Sequence, residues 1–495
     1  MTSTPNPASN PQRRAFHLIG IGGAGMSVVA ELLADRGYTV SGSDARESAT
    51  LDHLRSLGIT AHAGHDAAQV PPAATVVVST AVRETNPELA IARERGQEVL
   101  HRSQGLALAA QGRDFVAVAG AHGKTSTSAM IATALRAAGQ DPSWAVGGTL
   151  RGLGGGAHLG AGPVLVAEAD ESDGSFVRYT PRVSVVTNVE PDHLDHWGSA
   201  EAFEAAFVEF AEKLVPGGLL VTCSDDAGAR RLAAAVAGRL RVVTYGTGDA
   251  PGVGELAHVR VEVVAMTGQG SRSRLAVQVA AGSPGRTVGE PGDAGPIAQV
   301  HRPAVLDLQV SGAHMVLNAA AAWITCVELG VEPEVAARCV GEFAGTGRRF
   351  EPRGEAGGVR VVDDYAHHPT EVAATLRTAR VVAGDGRVLV LFQPHLYSRT
   401  VQFAAQFAHA LELADLAVVT DVYAAREDPD GVTSGATITA LAAHGRLRFV
   451  ADRVEAARAV ADAARPGDLL LTVGAGDVTE LAPVVLDELA READA

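Results

Sequence analysis

The sequence predicts an α/β protein of three domains: N-terminal Rossmann-like, central P-loop ATPase-type α/β, and C-terminal Rossmann-like. Three observations carry this. A chain of 495 residues is too long for one apolar core and suggests about three. Short apolar runs alternate with helical stretches, the pattern of parallel sheets. Two of those runs feed glycine turns that open helices, an arrangement by which backbone N–H groups hold an anion. The boundaries fall at residues 15–112, 113–345 and 346–495.

The whole-chain properties narrow the function classes. Apolar residues make up 46% and charged residues 20%, an ordinary globular balance. A net charge of −16 argues against a nucleic-acid partner, whose phosphates would be repelled. Anionic small substrates remain open, because a local pocket can override the global sign. Cys223, Cys326 and Cys339 lie far apart, without the spacing of a metal site or disulfide framework, which fits a reducing cytoplasm. Arg13-Arg14 before the apolar stretch from Phe16 resembles a twin-arginine signal. That stretch, however, is loaded with glycine and reaches Glu31 and Asp35 without a persuasive cleavage site. No apolar run is long enough to span a bilayer, so no membrane partner is expected. The expected assembly is a monomer or weak homodimer.

Residues 1–14 are rich in Pro, Asn, Ser and Thr and read as disordered. The first domain then opens with the strand Phe16-His-Leu-Ile-Gly20, a glycine turn, and a helix to about Arg36. A second strand, Tyr38–Asp44, ends in an acidic residue. Gly20, Gly22 and Gly25 match GxGxxG, and Asp44 stands where an acidic side chain meets a ribose in a dinucleotide unit. The glycines specify a diphosphate beside backbone, not a nicotinamide. A further strand, Thr75–Ser79, brings Ser79 near the same crevice.

The central domain begins with the apolar run from Phe115, followed by Gly120-Ala-His-Gly-Lys-Thr-Ser126 and a helix to about Gly139. Strand, glycine turn and helix are the context of a phosphate loop, in which Lys124 reaches phosphates and the Thr125 hydroxyl holds Mg²⁺. The usual first glycine would fall at Val118; here it comes later, at Gly120. Pro163–Ala167 reads as a buried strand ending in Glu168-Ala-Asp-Glu-Ser-Asp173, and Val183–Asn188 leads to Asp192-His193-Leu-Asp195. Solvated acidic loops are the bland reading of each cluster. Three clusters at three strand ends of one parallel sheet favour a site, since ligands gather there. Hard oxygen donors in few fixed positions suit Mg²⁺.

Residues from about Gly246 to Val300 read as short strands plus a mobile loop around Gly282–Gly295. Val310–Asn318 opens an Ala-rich helix on which His314 and Asn318 share a face. The third domain starts near Thr346. Its strands, at Val359–Val362, Val388–Phe392, Leu416–Thr420, Leu447–Val450 and Leu469–Val473, alternate with helices, so a second parallel sheet is expected. Polar clusters follow these strands too, among them Asp363-Asp364-Tyr365-Ala-His367-His368-Pro369 and Gln393-Pro-His395. Adjacent histidines point to different sides of extended backbone, and no closed zinc ligand set is evident.

Together these motifs resemble the Mur ligases of peptidoglycan synthesis, in the same order and over nearly the whole chain beyond residue 15. The phosphate loop, the Glu168–Asp173 run and the Asn188…His193 stretch resemble that family's ATP and metal motifs. The Gly20–Met26 start, Asp363–Pro369 and Phe392–His395 single out the branch that adds the first stem-peptide residue. The resemblance implies an ATP-dependent acid–amino-acid ligase joining L-alanine to the carboxylate of UDP-N-acetylmuramate through an acyl phosphate. It implies catalytic roles for Lys124, Glu168 and His193, and Mg²⁺ sites using Thr125, Glu168 and His193. Gly120, Ala121, His122, Gly123, Lys124, Thr125, Ser126, His314, Asn318, Arg349 and Asp364 would contact ATP. Gly22, Gly23, Gly25, Asp44 and Ser79 would hold the UDP moiety; Tyr365, His367 and Arg399 would meet the amino acid. Ala121, Met315 and Leu396 depart from common family residues. The competing readings are an NAD-dependent oxidoreductase, a non-catalytic ATP-binding regulator, and a ligase for another substrate, such as one recycling murein tripeptide.

Overall fold

The computed structural model describes residues 14–80, 82–249, 256–278, 295–425 and 427–494. They gather into two compact units. The first comprises Met1–Val261, Leu275–Ala304 and Leu317–Glu342; the second Glu262–Arg274, Val305–Val316 and Phe343–Ala495.

The first unit opens with a five-stranded sheet: β1 (Ala15–Ile19), β2 (Thr39–Asp44), β3 (Thr60–Ala63), β4 (Thr75–Val78) and β5 (Val99–His101). The order is β3-β2-β1-β4-β5, with every pair parallel. Chain order reverses beside β1, between β2 and β4, which opens a crevice at its carboxyl end. The glycine turn begins there, and the helix Ala24–Asp35 follows, close to the expected limits.

Next come β6 (Asp114–Ala119), β7 (Ser143–Ala145), β8 (Ala157–His158), β9 (Val164–Glu168), β10 (Val183–Val186), β11 (Leu219–Cys223), β12 (Arg241–Gly246) and β13 (Ala257–Thr267). In this unit they run β13-β12-β11-β10-β6-β9-β7-β8, parallel except for the β7–β8 edge. One apolar core runs through both sheets, from Phe16 and Val29 through Phe115 to Phe176, Phe207 and Phe210. Buried Arg241 forks onto buried Glu328 at 2.9 and 3.2 Å, so neither charge is left alone in the interior.

The second unit includes the turn between β13 and β14 (Gly270–Gln278), and most of β15 (Ala304–Leu308). An Arg272–Asp307 fork at 2.6 and 3.0 Å ties β14 to β15. Its main sheet is formed by β16 (Glu351–Ala356), β17 (Val359–Asp364), β18 (Val388–Phe392), β19 (Leu416–Val419), β20 (Leu447–Phe449) and β21 (Leu469–Val473). The order is β16-β17-β21-β18-β19-β20, and only β16 is antiparallel. Apolar cores cover both faces, as such a sheet requires.

Two expectations change. The stretch after Gly246 holds strands of 11 and 9 residues rather than short ones, with alternate burial confined to Val259–Glu262 of β13 and Ser271–Leu275 of β14. The edge strand β16 went unforeseen. The N-terminal stretch expected to be disordered and the loop expected around Gly282–Gly295 lie outside the described residues, apart from Arg14 and Gly295, which starts a short turn Gly295–Gln299. Among the described residues no helix is long and apolar enough to cross a membrane.

Candidate functional site

In the first unit β6 delivers the phosphate loop. Gly120 has φ +128°, and a Cβ there would stand 2.2 Å from Thr187 Oγ1, so the position demands glycine. Gly123 takes φ +82° as it caps the helix Lys124–Ala137, and its added Cβ would stand 2.9 Å from Asn318 Oδ1. The residues after β10 clamp the loop from beside it. Thr187 N donates to Ala119 O at 3.1 Å, His122 N to Asn188 Oδ1 at 3.1 Å, and Asn188 Nδ2 to His122 O at 3.0 Å. His122 Nε2 lies 3.2 Å from Glu190 Oε2. Thr125 is half-buried, whereas Ser126 is buried.

Lys124 folds back over the turn. Its Nζ donates to Gly120 O at 2.7 Å and Ala121 O at 3.3 Å, and to both Glu171 oxygens at 2.8 and 2.9 Å. Burial works to lower the Lys124 pKa, but the charges of Glu171, Asp170 and Glu168 outweigh it and keep the ammonium above its usual range. Burial pushes Glu171 up to about 7 against the pull of Lys124, with Asp170 reinforcing the rise.

The acidic run sits beside this loop because β9 pairs with β6, placing Glu168 opposite Val118. Glu168 Oε1 accepts from Gly147 N at 2.6 Å. Asp170 and Asp173 accept from Ser172 N and Ser175 N, and Asp173 Oδ2 lies 3.2 Å from His101 Nε2. His193 has φ +52°, a strained conformation for a side-chain-bearing residue, with Nε2 3.7 Å from Asp192 Oδ2. The Glu168 carboxylate at the end of β9 and the Thr125 hydroxyl, the first of the loop helix, are hard oxygen donors of the kind Mg²⁺ takes.

At the other glycine turn, Gly20 N and Ile21 N donate to Ser43 O at 2.8 and 2.9 Å. The Asp44 carboxylate accepts from Gly22 N at 2.9 Å and from Ala45 N at 2.7 Å. Asp44 therefore shapes the turn itself, beyond the ribose role expected from sequence. Gly23 caps the following helix without a side-chain hydrogen bond. A Cβ on Gly25 would stand 2.4 Å from Arg102 Nη1, and Arg102 Nη2 lies 3.8 Å from Asp170 Oδ2. Arg102 thus reaches from the first glycine turn to the acidic run. Ser79 lies just beyond β4, its carbonyl accepting from Val82 N at 3.1 Å. Sequence reasoning missed Arg102 and left Glu171 without a role. The signal for Arg102 was its place immediately after β5, at another strand's carboxyl end.

In the second unit β17 ends in Asp363 and Asp364. Asp364, expected at ATP, turns inward: it accepts from Phe350 N at 2.8 Å, Ala366 N at 2.9 Å and Thr375 Oγ1 at 3.1 Å. Two guanidiniums approach the Tyr365 ring, Arg348 at 4.8 Å and Arg349 at 5.2 Å from its centre. His367 Nδ1 sits 3.1 Å from Tyr365 O, and its ring lies 5.3 Å from Tyr365 and 5.9 Å from His395. Burial, aided by the charge of Arg399 and opposed by Glu371, drives His367 down to about 3, so its ring is neutral. Tyr365 and His367 are thus brought together, and the charge of Arg399 acts on His367. His368 faces elsewhere, packing on Phe403 at 4.8 Å. Leu396, the departure from the family pattern, is buried and holds φ +71°. His314 stands exposed in the first turn of the helix Ala313–Glu328, while Asn318, one turn on, belongs to the first unit and is buried.

Three family profiles match in sequence. They are "Mur ligase family, catalytic domain" over residues 15–114, "Mur ligase middle domain" over 118–326 and "Mur ligase, glutamate ligase domain" over 348–476. The UDP-N-acetylmuramate–L-alanine ligase of Kineococcus radiotolerans is 55% identical over 482 residues, 96% of each chain. That of Mycobacterium avium is 45% identical over 509 aligned positions, covering 99% of this chain and 97% of the other. Among solved structures, the UDP-N-acetylmuramate–alanine ligase of Thermotoga maritima superposes with a TM-score of 0.71 at 28% identity, over 97% of this chain and 99% of that one. A murein peptide ligase from Psychrobacter arcticus shares the fold, with a TM-score of 0.65 at 23% identity over 96% of this chain and 99% of that one.

Proposed function

The chain belongs to the Mur ligase family, and we propose that it joins L-alanine to the carboxylate of UDP-N-acetylmuramate while ATP is converted to ADP and phosphate. The observation that carries this reading is 55% identity, across 96% of both chains, to a ligase with that substrate pair. The reaction is an ATP-dependent step of peptidoglycan precursor synthesis. Three buried, free cysteines support a reducing, cytoplasmic setting. A monomer or weak homodimer suffices for this chemistry.

The substrate carboxylate attacks the γ-phosphorus of ATP, giving an acyl phosphate and ADP. Two anions must approach, so positive charge at the transferring phosphoryl group is the main requirement. Lys124 supplies it from the loop, with the amides of Gly120, Ala121, Gly123 and Thr125 around the phosphates. Mg²⁺, held by Thr125, Glu168 and His193, would neutralise phosphate charge when bound. The neutral amine of alanine then attacks the acyl carbon, and phosphate leaves with its bonding electron pair. The amine's surplus proton passes to solvent.

The Gly22, Gly23 and Gly25 backbone, with Asp44 and Ser79, is assigned to the UDP moiety. Tyr365, His367 and Arg399 are assigned to alanine, whose carboxylate the Arg399 guanidinium can fork. His314, Asn318 and Arg349 are retained as nucleotide contacts. Asp364 acts there only indirectly, by fixing the backbone at Phe350 beside Arg349.

Phosphate release with Mg-ATP and UDP-N-acetylmuramate, adding one amino acid at a time, tests the assignment when each product is weighed. Release with L-alanine and a product heavier by one alanyl residue is expected. Release with a tripeptide but not alanine would move the chain to the recycling branch.

A further inference from the structure

We propose that Glu171 is the positioning residue of Lys124, holding its ammonium over the phosphate loop and competing with the triphosphate for it. This rests on reading that loop as the ATP site. Both Glu171 oxygens engage Nζ, at 2.8 and 2.9 Å, while Gly120 O and Ala121 O take up its remaining hydrogen-bonding directions. A phosphate oxygen that claims this ammonium must draw it from the carboxylate.

Glu171 cannot follow freely. Its side chain is 2% exposed, and its carbonyl is tied by Trp197 Nε1 at 3.0 Å and Gly174 N at 3.2 Å. The charged groups around the pair are few. Lys124 faces Glu171 from the loop helix, Asp170 adds negative charge from the same run, and Glu168 acts on Lys124 from β9. Arg102 is directed at Asp170, 3.8 Å away. With Lys124 turned to phosphate, Glu171 would be a buried carboxylate among anions, and such a group takes up a proton. Burial already brings its pKa to about 7, so the proton comes from solvent at little cost near neutrality.

The sign follows from linkage. Below pH ~7 Glu171 is already protonated and does not compete; above it, Mg-ATP binding takes up a proton and weakens as pH rises. Glu171→Gln keeps a hydrogen-bonding group but removes the charge. Calorimetry of Mg-ATP binding at saturating Mg²⁺, in buffers of different ionisation enthalpy, reads both affinity and protons. We expect wild type to take up close to one proton at about pH 8.5, and Glu171→Gln close to none. The variant should bind about tenfold more tightly there and within about twofold of wild type at about pH 6. Glu171→Asp, which keeps the charge, should retain the pH slope, an outcome that simple packing would not produce. Equal proton uptake in wild type and Glu171→Gln, or weaker binding by Glu171→Gln at high pH, would overturn the proposal. If that variant fails to fold, absence of proton uptake by wild type alone would overturn it. No Mg-ATP binding by folded wild type would instead refute the reading of the loop.

Discussion

At the Gly20–Gly25 turn a carboxylate receives backbone amides: Asp44 accepts from Gly22 N and Ala45 N. At the Gly120–Thr125 turn an ammonium gives to backbone carbonyls: Lys124 donates to Gly120 O and Ala121 O. Both turns follow a central parallel strand and open a helix, so the backbone device is the same. The facing charge differs. A turn braced by a fixed carboxylate keeps its shape, leaving the helix N-terminus and Arg102 to attract a diphosphate. A turn spanned by a flexible cation can follow charge as it moves during phosphoryl transfer. We therefore assign binding to the first turn and chemistry to the second.

The largest effect should come from Lys124→Ala. Turnover should fall about 10²–10³-fold, the scale of losing one group that stabilises transition-state charge. Calorimetry should find affinity for UDP-N-acetylmuramate within about twofold of wild type. Equal losses in both measurements would erase the contrast. Gly120→Ala comes next, because φ +128° and a 2.2 Å approach to Thr187 Oγ1 both oppose a Cβ. Thermal unfolding should show a loss of about 1–3 kcal/mol, accompanied by weaker ATP binding.

Asp44→Ala sharpens the other side. Its loss leaves two turn amides without their acceptor, about 1–2 kcal/mol, so the KM for UDP-N-acetylmuramate should rise roughly tenfold. ATP binding should be spared; an ATP-specific defect would reverse the assignment of the turns. Gly25→Ala should do least, raising the same KM about two- to fivefold, since the flexible Arg102 side chain can move away from a new methyl group. Steady-state kinetics with each substrate varied separately distinguish these outcomes.

The buried strands were legible because they are nearly continuous apolar runs: Val388–Phe392 and Leu469–Val473 match the structure end to end. β16 reads Glu-Pro-Arg-Gly-Glu-Ala and carries no strand signal of its own; pairing with β17 imposes it. The phosphate loop was legible because its Gly and Lys positions follow from anion chemistry. Which of Glu168, Asp170 and Glu171 turns toward Lys124 was not, since a run of carboxylates does not disclose side-chain direction. The inward turn of Asp364 was not legible for the same reason. The Gly20–Gly25 pattern also allowed an oxidoreductase, because GxGxxG describes a backbone beside phosphate whatever the ligand's far end; family membership removes that reading.

The central claim is that the substrate carboxylate is phosphorylated before the amine attacks. UDP-N-acetylmuramate carrying ¹⁸O in both carboxylate oxygens, turned over with Mg-ATP and L-alanine, tests it directly. Mass spectrometry of the released phosphate should find one ¹⁸O atom, carried across in the acyl phosphate bond. Unlabelled phosphate would show that ATP is cleaved without bonding to the carboxylate, and would contradict the account.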